Sequence, residues 1–166
     1  MTLKDELGCI DKRIANPTTG LPEEVFEFIT TVTPMINVDL LIKNESGKVL
    51  MTWRDDICGC GWHIPGGIIR YKESIKDRIL AVARNELNTD VIFDEKPIMI
   101  NEIMMPQRVR GHFISLLYKC YIKEGFVINN EKSENEVGFV SWIAEKPDNM
   151  VMGQREIYKD LWNKIY

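Results

Sequence analysis

Neither a disulfide framework, a membrane span nor a leader segment can be read in this chain. Its four cysteines, Cys9, Cys58, Cys60 and Cys120, have no framework spacing, and free thiols of this kind fit a reducing compartment. No apolar run approaches the roughly 20 residues that span a bilayer, and Met1-Thr2-Leu3-Lys4-Asp5-Glu6-Leu7 lacks the hydrophobic stretch of a signal peptide. The reading is therefore a cytoplasmic protein with no membrane partner. Basic residues show no excess: 21 Lys and Arg stand against 25 Asp and Glu, a net charge of -4. That balance argues against a nucleic-acid partner, because affinity for a phosphate backbone comes from clustered Lys and Arg. Cys58-Gly59-Cys60 with His63 is the one zinc-like cluster, and without a second ligand pair nearby it reads as a loop with incidental thiols. Internal repeats and low-complexity segments are absent.

A chain of 166 residues is large enough for one core without disulfides or a structural metal. Residues 1–21 read as an N-terminal arm or helix, from the apolar spacing of Leu3, Leu7, Ile10 and Ile14 and the turn-rich Asn16-Pro17-Thr18-Thr19-Gly20; residues 22–166 read as the main domain. Pro22-Glu23-Glu24 opens a second helix, with proline and acidic residues where a helix start favours them, and Pro34 ends it. Strands are expected at 35–42 and 49–53, joined by the hairpin signal Asn44-Glu45-Ser46-Gly47. Residues 54–61 read as a loop and 62–64 as a short strand. Residues 74–87 read as a helix, with further strands near 98–105, 113–122 and 139–143 and a last amphipathic helix from about Gln154 to Ile165. Strands interleaved with helices favour an α/β fold, an α/β/α sandwich around a mixed β-sheet.

The chemistry concentrates at Trp62-His63-Ile64-Pro65-Gly66-Gly67, then Glu73, then the helix ending in Asn85-Glu86-Leu87. Two glycines after a strand let the backbone turn and offer carbonyls to a cation, with a carboxylate at each end of the following helix. At about 100° per residue, Ile75, Ile79, Val82 and Glu86 share one stripe, so a carboxylate extends an apolar row and needs a cation, a donor or an exit to water. Glu73 precedes Ser74 at the helix start, where an anion is favoured in any case.

This pattern resembles the Nudix hydrolases, whose signature reads G-x5-E-x7-R-E-U-x-E-E-x-G-U, with U aliphatic. Gly67 falls on its first glycine, Glu73 on its first glutamate and Glu86 on the last. Ala81, Val82, Asn85 and Asn88 stand where the signature has arginine, glutamate, glutamate and glycine. Loss of the two glutamates at Val82 and Asn85 is similar to the GDP-mannose mannosyl hydrolase branch. So are Thr33-Pro34 followed by Asp39 in a strand, Arg54 after the second strand and His112 beginning a later one. The resemblance implies the α/β/α Nudix fold, one Mg²⁺ (or Mn²⁺) held by a carbonyl of Gly66 or Gly67 and by Glu86, and a homodimer. It implies Asp39, Arg54 and His112 as substrate-binding residues, with Arg54 and His112 stabilising the leaving group, and a structural role for Glu73, whose arginine partner is replaced by Ala81. Arg84 and Arg78 are the candidates for that partner.

Aligning Trp142 with a tryptophan of the branch puts Glu136 on a metal-binding glutamine and Val137 on the histidine that serves as general base. Valine accepts no proton, so Glu136 or Glu134 is the candidate base, and by the same alignment Glu136 is a further candidate ligand of the metal beside Glu86 and the glycine carbonyl. The implied function is hydrolysis of a nucleoside diphosphate linked to another moiety, with a GDP-sugar such as GDP-mannose leading. Attack at the anomeric carbon and attack at phosphorus stay open. The alternatives are a pyrophosphatase for ADP-ribose or another nucleotide, and an inactive nucleotide-binding Nudix fold.

Overall fold

The computed structural model describes residues 1–163. The element order is α1 (Leu3–Asp11), α2 (Glu23–Thr30), β1 (Met35–Ile42), β2 (Val49–Asp56), β3 (Gly59–His63), β4 (Gly66–Ile68), α3 (Ile75–Leu87), β5 (Val91–Phe93), β6 (Met99–Met104), β7 (His112–Ile122), β8 (Val140–Ile143) and α4 (Met152–Arg155). The architecture is α/β around a mixed five-stranded sheet. Its spine is the parallel pair β1 and β7, with β4 antiparallel on the free edge of β1. β6 and β5 pair antiparallel with successive stretches of β7, residues 112–117 and 120–122. β3, β2 and β8 form a second, antiparallel sheet.

Strand alternation sets the layers. Val38, Leu40 and Ile42 of β1 pack with Ile79, Val82, Ala83 and Leu87 of α3. Leu41 points the other way, into a core with Met51, Trp53, Trp62, Ile64 and Leu117, closed by Tyr158 and Leu161 of the C-terminal segment. A strand covered on both faces reads as a near-continuous apolar run, so Asn37 and Asp39 are the exceptions that need an account. Helix α3 starts where Ser74 accepts the Asp77 amide at 3.1 Å. It stops at Asn88, whose left-handed backbone (φ 51°) explains why the signature has glycine there and why asparagine is the tolerated replacement.

Several expectations change. The 54–61 loop is a tight hairpin: β2 runs on to Asp56 and β3 begins at Gly59. Gly66 and Gly67 do not turn the chain but lie in β4, extended against β1. They are glycine for lack of room. A Cβ on Gly66 would collide with Asp39 Oδ1, and one on Gly67 would stand 2.8 Å from Val82 Cγ2 and 3.2 Å from Arg78 Cδ. The final helix is a single turn, Met152–Arg155; beyond it the i→i−3 bonds Leu161 N to Tyr158 O and Asn163 N to Asp160 O make tight turns instead of an α ladder. Its expected end at Ile165 lies outside the described residues. Helix α1 forms with a Thr2/Asp5 capping box but buries none of its residues. Among the described residues, no helix is long and apolar enough to cross a membrane.

Candidate active site

Two cavities adjoin the residues around Glu86, which itself lines the second. The first, of about 170 Å³, is lined by Asn37 and Asp39 of β1, Arg54 of β2, His63, Gly66 and Gly67, and by the loop residue Arg110. Apolar side chains from β6, β7 and the α4 region complete its wall, among them Ile103, Met105 and Phe113. The second, of about 320 Å³, lies between the last turn of α3, Arg84 to Asn88, and the loop that includes Glu131, Lys132 and Gly138.

Asp39 is 1% exposed, and donors separated widely in sequence surround it. Ser115 Oγ and Tyr158 Oη each reach Oδ2 at 2.6 Å, while Asn37 Nδ2 and Gln154 Nε2 reach Oδ1 at 3.0 and 3.4 Å. Burial pushes its pKa above the ordinary value, against the lowering effect of the Ser115 and Tyr158 hydroxyls. The carboxylate expected to meet substrate thus lines the cavity while its oxygens tie the C-terminal segment to the sheet. Gln154 adds to that tie: its Oε1 accepts the Ile64 amide at 2.7 Å and its Nε2 donates to the Ile64 carbonyl at 3.3 Å.

Glu86 projects from the apolar stripe of α3 toward β3 and β4. Its Oε2 accepts from Thr52 Oγ1 at 2.9 Å and faces His63 Nε2 at 3.2 Å; its Oε1 accepts the Gly66 amide at 3.2 Å. His63 Nδ1 lies 2.9 Å from the Thr52 carbonyl, so the ring is held between that acceptor and the Glu86 carboxylate. Burial pushes the Glu86 pKa up, but the hydrogen bond and charge of His63, with Thr52 and Arg54, outweigh it and hold the carboxyl below its ordinary value. It is therefore an anion at neutral pH.

Whether these residues suit a divalent cation turns on their free oxygens. Leu40 N bonds Pro65 O at 2.8 Å and Ile69 N bonds Ile36 O at 2.9 Å, so by antiparallel alternation Val38 and Gly67 exchange hydrogen bonds between them. That leaves the Gly67 carbonyl committed to the ladder. The Gly66 carbonyl points with its own amide, away from β1 and toward the Glu86 side. Glu86 Oε1 takes only one donor, so a lone pair remains beside that carbonyl. Among the described residues, no group of three or more His, Cys, Asp or Glu is placed to hold a metal. One carboxylate and one carbonyl fit Mg²⁺, which keeps waters and completes its shell with substrate phosphates.

Glu73 is bound by Arg78, with Nε to Oε2 at 2.8 Å and Nη2 to Oε1 at 2.9 Å, and also accepts the Arg70 amide at 2.9 Å. Arg78 lies nearly one turn before the signature position, and its reach back across five residues supplies what Ala81 cannot. Arg54 lines the first cavity and also approaches Asp56 Oδ2 at 3.6 Å. His112 is not brought to either cavity. Alternation along β7 sends Phe113 to the first cavity and His112 to the other face, where Nε2 meets Glu102 Oε1 at 3.3 Å. Glu136 accepts the Ser133 amide at 2.8 Å in an exposed turn of the loop whose residues 131, 132 and 138 share the second cavity with Glu86.

Sequence reasoning left His63 unassigned and did not find Asn37, Arg110, Thr52 or Gln154. The spacing of Asn37 and Asp39 on one strand face was the available signal for the first of these.

No family model matches the chain. The low-salt glycan biosynthesis protein Agl8 of Haloferax volcanii is 36% identical over 81 residues, 48% of this chain and 51% of that protein, so the match spans about half the relative's length. Among solved structures, the MutT Nudix hydrolase of Burkholderia pseudomallei matches with a TM-score of 0.60 at 14% identity, over 81% of this chain and 99% of the other. A UDP-X diphosphatase matches with a TM-score of 0.59 at 15% identity, over 96% of this chain and 78% of the other. The mixed sheet, the Gly67-to-Glu86 segment around α3 and these matches together give the chain the fold of the Nudix hydrolases.

Proposed function

We propose that the chain is a Mg²⁺-dependent hydrolase of a nucleoside diphosphate linked to another moiety, with a GDP-sugar such as GDP-mannose as its leading substrate. The observation that carries this reading is the spare lone pair of Glu86 Oε1 beside the Gly66 carbonyl, with Glu86 lining one cavity and its partners Gly66 and His63 lining another that holds two guanidinium groups. A relative named for glycan biosynthesis and a structural neighbour named as a diphosphatase of UDP-X both favour a nucleotide that carries a second group.

Glu86 and the Gly66 carbonyl would hold Mg²⁺ or Mn²⁺, which supplies Lewis-acid neutralisation of diphosphate charge. Thr52 and His63 keep the Glu86 carboxylate ionised and aimed. Arg54, which lines the first cavity, would stabilise charge that builds on the bridging oxygen as the bond breaks, a stabilisation greater in the transition state than in the ground state. Glu136, on the loop facing Glu86, is the proposed base that takes the proton of the attacking water. Water oxygen then bonds either to the anomeric carbon, releasing the nucleoside diphosphate, or to phosphorus, releasing a nucleotide and a sugar phosphate. The exposed Leu3, Leu7 and Ile10 of α1 support a homodimer, which a monomer mass independent of concentration would refute.

The test is a mass-resolved hydrolysis screen of GDP-mannose, other nucleotide sugars and ADP-ribose in ¹⁸O-labelled water, with Mg²⁺ or EDTA. GDP with labelled sugar is the product of anomeric attack, and labelled nucleotide or sugar phosphate is the product of attack at phosphorus. No turnover with any divalent metal would replace the hydrolase reading with that of a nucleotide-binding protein.

A further inference from the structure

Arg110 enters the first cavity from the tight connection between β6 and β7. Three features fix it there. The Met105 amide bonds the Gly111 carbonyl at 2.8 Å, and a Cβ on Gly111 would collide with the Gln107 carbonyl, so the loop is closed around glycine. Arg110 itself holds a left-handed backbone (φ 53°), which a non-glycine residue keeps only when its surroundings enforce it. The enforcing contact is its amide, which donates to the buried Thr30 Oγ1 at 3.1 Å.

The side chain so placed is under-used. Its Nε is buried with no hydrogen-bond partner among the described residues, and its nearest carboxylate is Asp56, 3.8 Å from Nη1. Arg54 approaches the same Asp56 oxygen at 3.6 Å, so two guanidiniums flank one carboxylate at more than hydrogen-bonding distance. The carboxylate that lines the cavity itself, Asp39, is committed to its four donors, which leaves the free capacity of the wall cationic. One acceptor is also unmet: Asn37 Oδ1 is buried without a donor. The amide cannot flip to relieve this, because Nδ2 donates to Asp39 Oδ1 at 3.0 Å and a flip would oppose two oxygens. A ligand that satisfies both orphans carries an anion and a hydroxyl or N–H.

We propose that Arg110 and Arg54 form a two-guanidinium clamp for a phosphoryl group of the ligand, with Asn37 Oδ1 accepting from a neighbouring hydroxyl or N–H, and that Asp56 is the counter-ion the phosphoryl group displaces. This deepens the hydrolase reading by adding Arg110 as a binding residue. Bidentate guanidinium geometry matches phosphoryl oxygens in a way that a lysine ammonium does not.

The test is equilibrium binding in EDTA, where turnover plays no part, of GMP, mannose 1-phosphate and inorganic phosphate, with guanosine and mannose as uncharged controls. Arg110→Met is expected to weaken the phosphorylated probes at least tenfold while leaving the controls and the melting temperature unchanged, and Arg110→Lys to recover only part of the loss. Asp56→Asn is expected to tighten the same probes, an effect that a merely structural role for Arg110 does not produce. GMP binding without mannose 1-phosphate binding assigns the clamp to the nucleotide end, and the reverse assigns it to the glycosyl phosphate end. Failure of all three phosphorylated probes to bind the wild-type chain, an Arg110→Met chain that binds them unchanged, or an equal loss for the uncharged controls would each overturn the proposal. Clamp binding without hydrolysis in the screen above would count against the hydrolase reading alone, and hydrolysis with an unaffected Arg110→Met chain against the clamp alone.

Discussion

Tyr158→Phe isolates what the Asp39 network contributes to the fold. The ring is fully buried and phenylalanine keeps its shape, so the change deletes one hydroxyl without opening a cavity. That hydroxyl donates to Asp39 Oδ2 at 2.6 Å and sits 2.8 Å from Ser115 Oγ. A hydrogen bond to a charged group contributes about 1.5–3 kcal/mol. For a domain of this size each kcal/mol corresponds to roughly 2–4 °C of melting temperature, so the expected fall is about 3–12 °C at a pH where Asp39 is ionised. The pH dependence follows from the sign of the Asp39 shift. Its pKa in the folded chain is raised above 3.8 by burial, so the folded state holds the proton to higher pH and loses stability as pH rises from 3.8 through the folded value. Removing a donor raises that folded pKa further. The gap between variant and wild type is therefore full above the folded value and shrinks toward the roughly 1 kcal/mol of a neutral bond as pH falls toward 3.8. Thermal and urea unfolding at neutral and acidic pH measure both quantities. A variant melting within 1 °C of wild type (about 0.3–0.5 kcal/mol on the same scale), or a gap that widens on acidification, would refute this account of Asp39.

Glu86→Gln keeps the size of the side chain and removes its charge, so Mg²⁺-dependent turnover should drop on the order of 10²-fold, matching a loss of about 3 kcal/mol from the barrier; steady-state rates against Mg²⁺ concentration check this, and unchanged rates would remove Glu86 from the metal site. Arg78→Met leaves Glu73, whose side chain is 15% exposed, without its ion partner. The expected loss is about 3 kcal/mol, and Arg78→Lys should restore only part of it because an ammonium cannot make the paired bonds; thermal melts of both variants decide. Thiol labelling should follow exposure and ionisation. Exposed Cys9 and Cys60 should react first, and Cys58, half-buried with its pKa pushed up by burial, should react slowly. Cys120, 2% exposed with its thiol pushed up to about 12, should react only after unfolding, so peptide mapping that finds it labelled at the rate of Cys60 in the folded chain would contradict this order.

The sequence by itself determined what depends on near neighbours. The apolar run of β1, the cap at Ser74, the helix to Leu87, Glu73 at its start and Glu86 on its inner stripe all follow from periodicity and capping, which act over one or two turns. Tertiary structure decided the partners. Asp39 meets Ser115 across 76 residues, Gln154 across 115 and Tyr158 across 119, and no local pattern specifies such pairings. The 54–61 hairpin and the extended Gly66-Gly67 were misread because the same glycines that permit turns also permit close approach of strands, and only the packing of β4 against Asp39 and α3 distinguishes the two uses. His112 was carried to the site by resemblance and turned away from it by the register of β7, where a shift of one residue exchanges the faces. Arg110 gave no signal in its neighbours. It joins Arg54 only because the β6–β7 connection folds back over β2, and a guanidinium takes its meaning from the charges that packing sets around it.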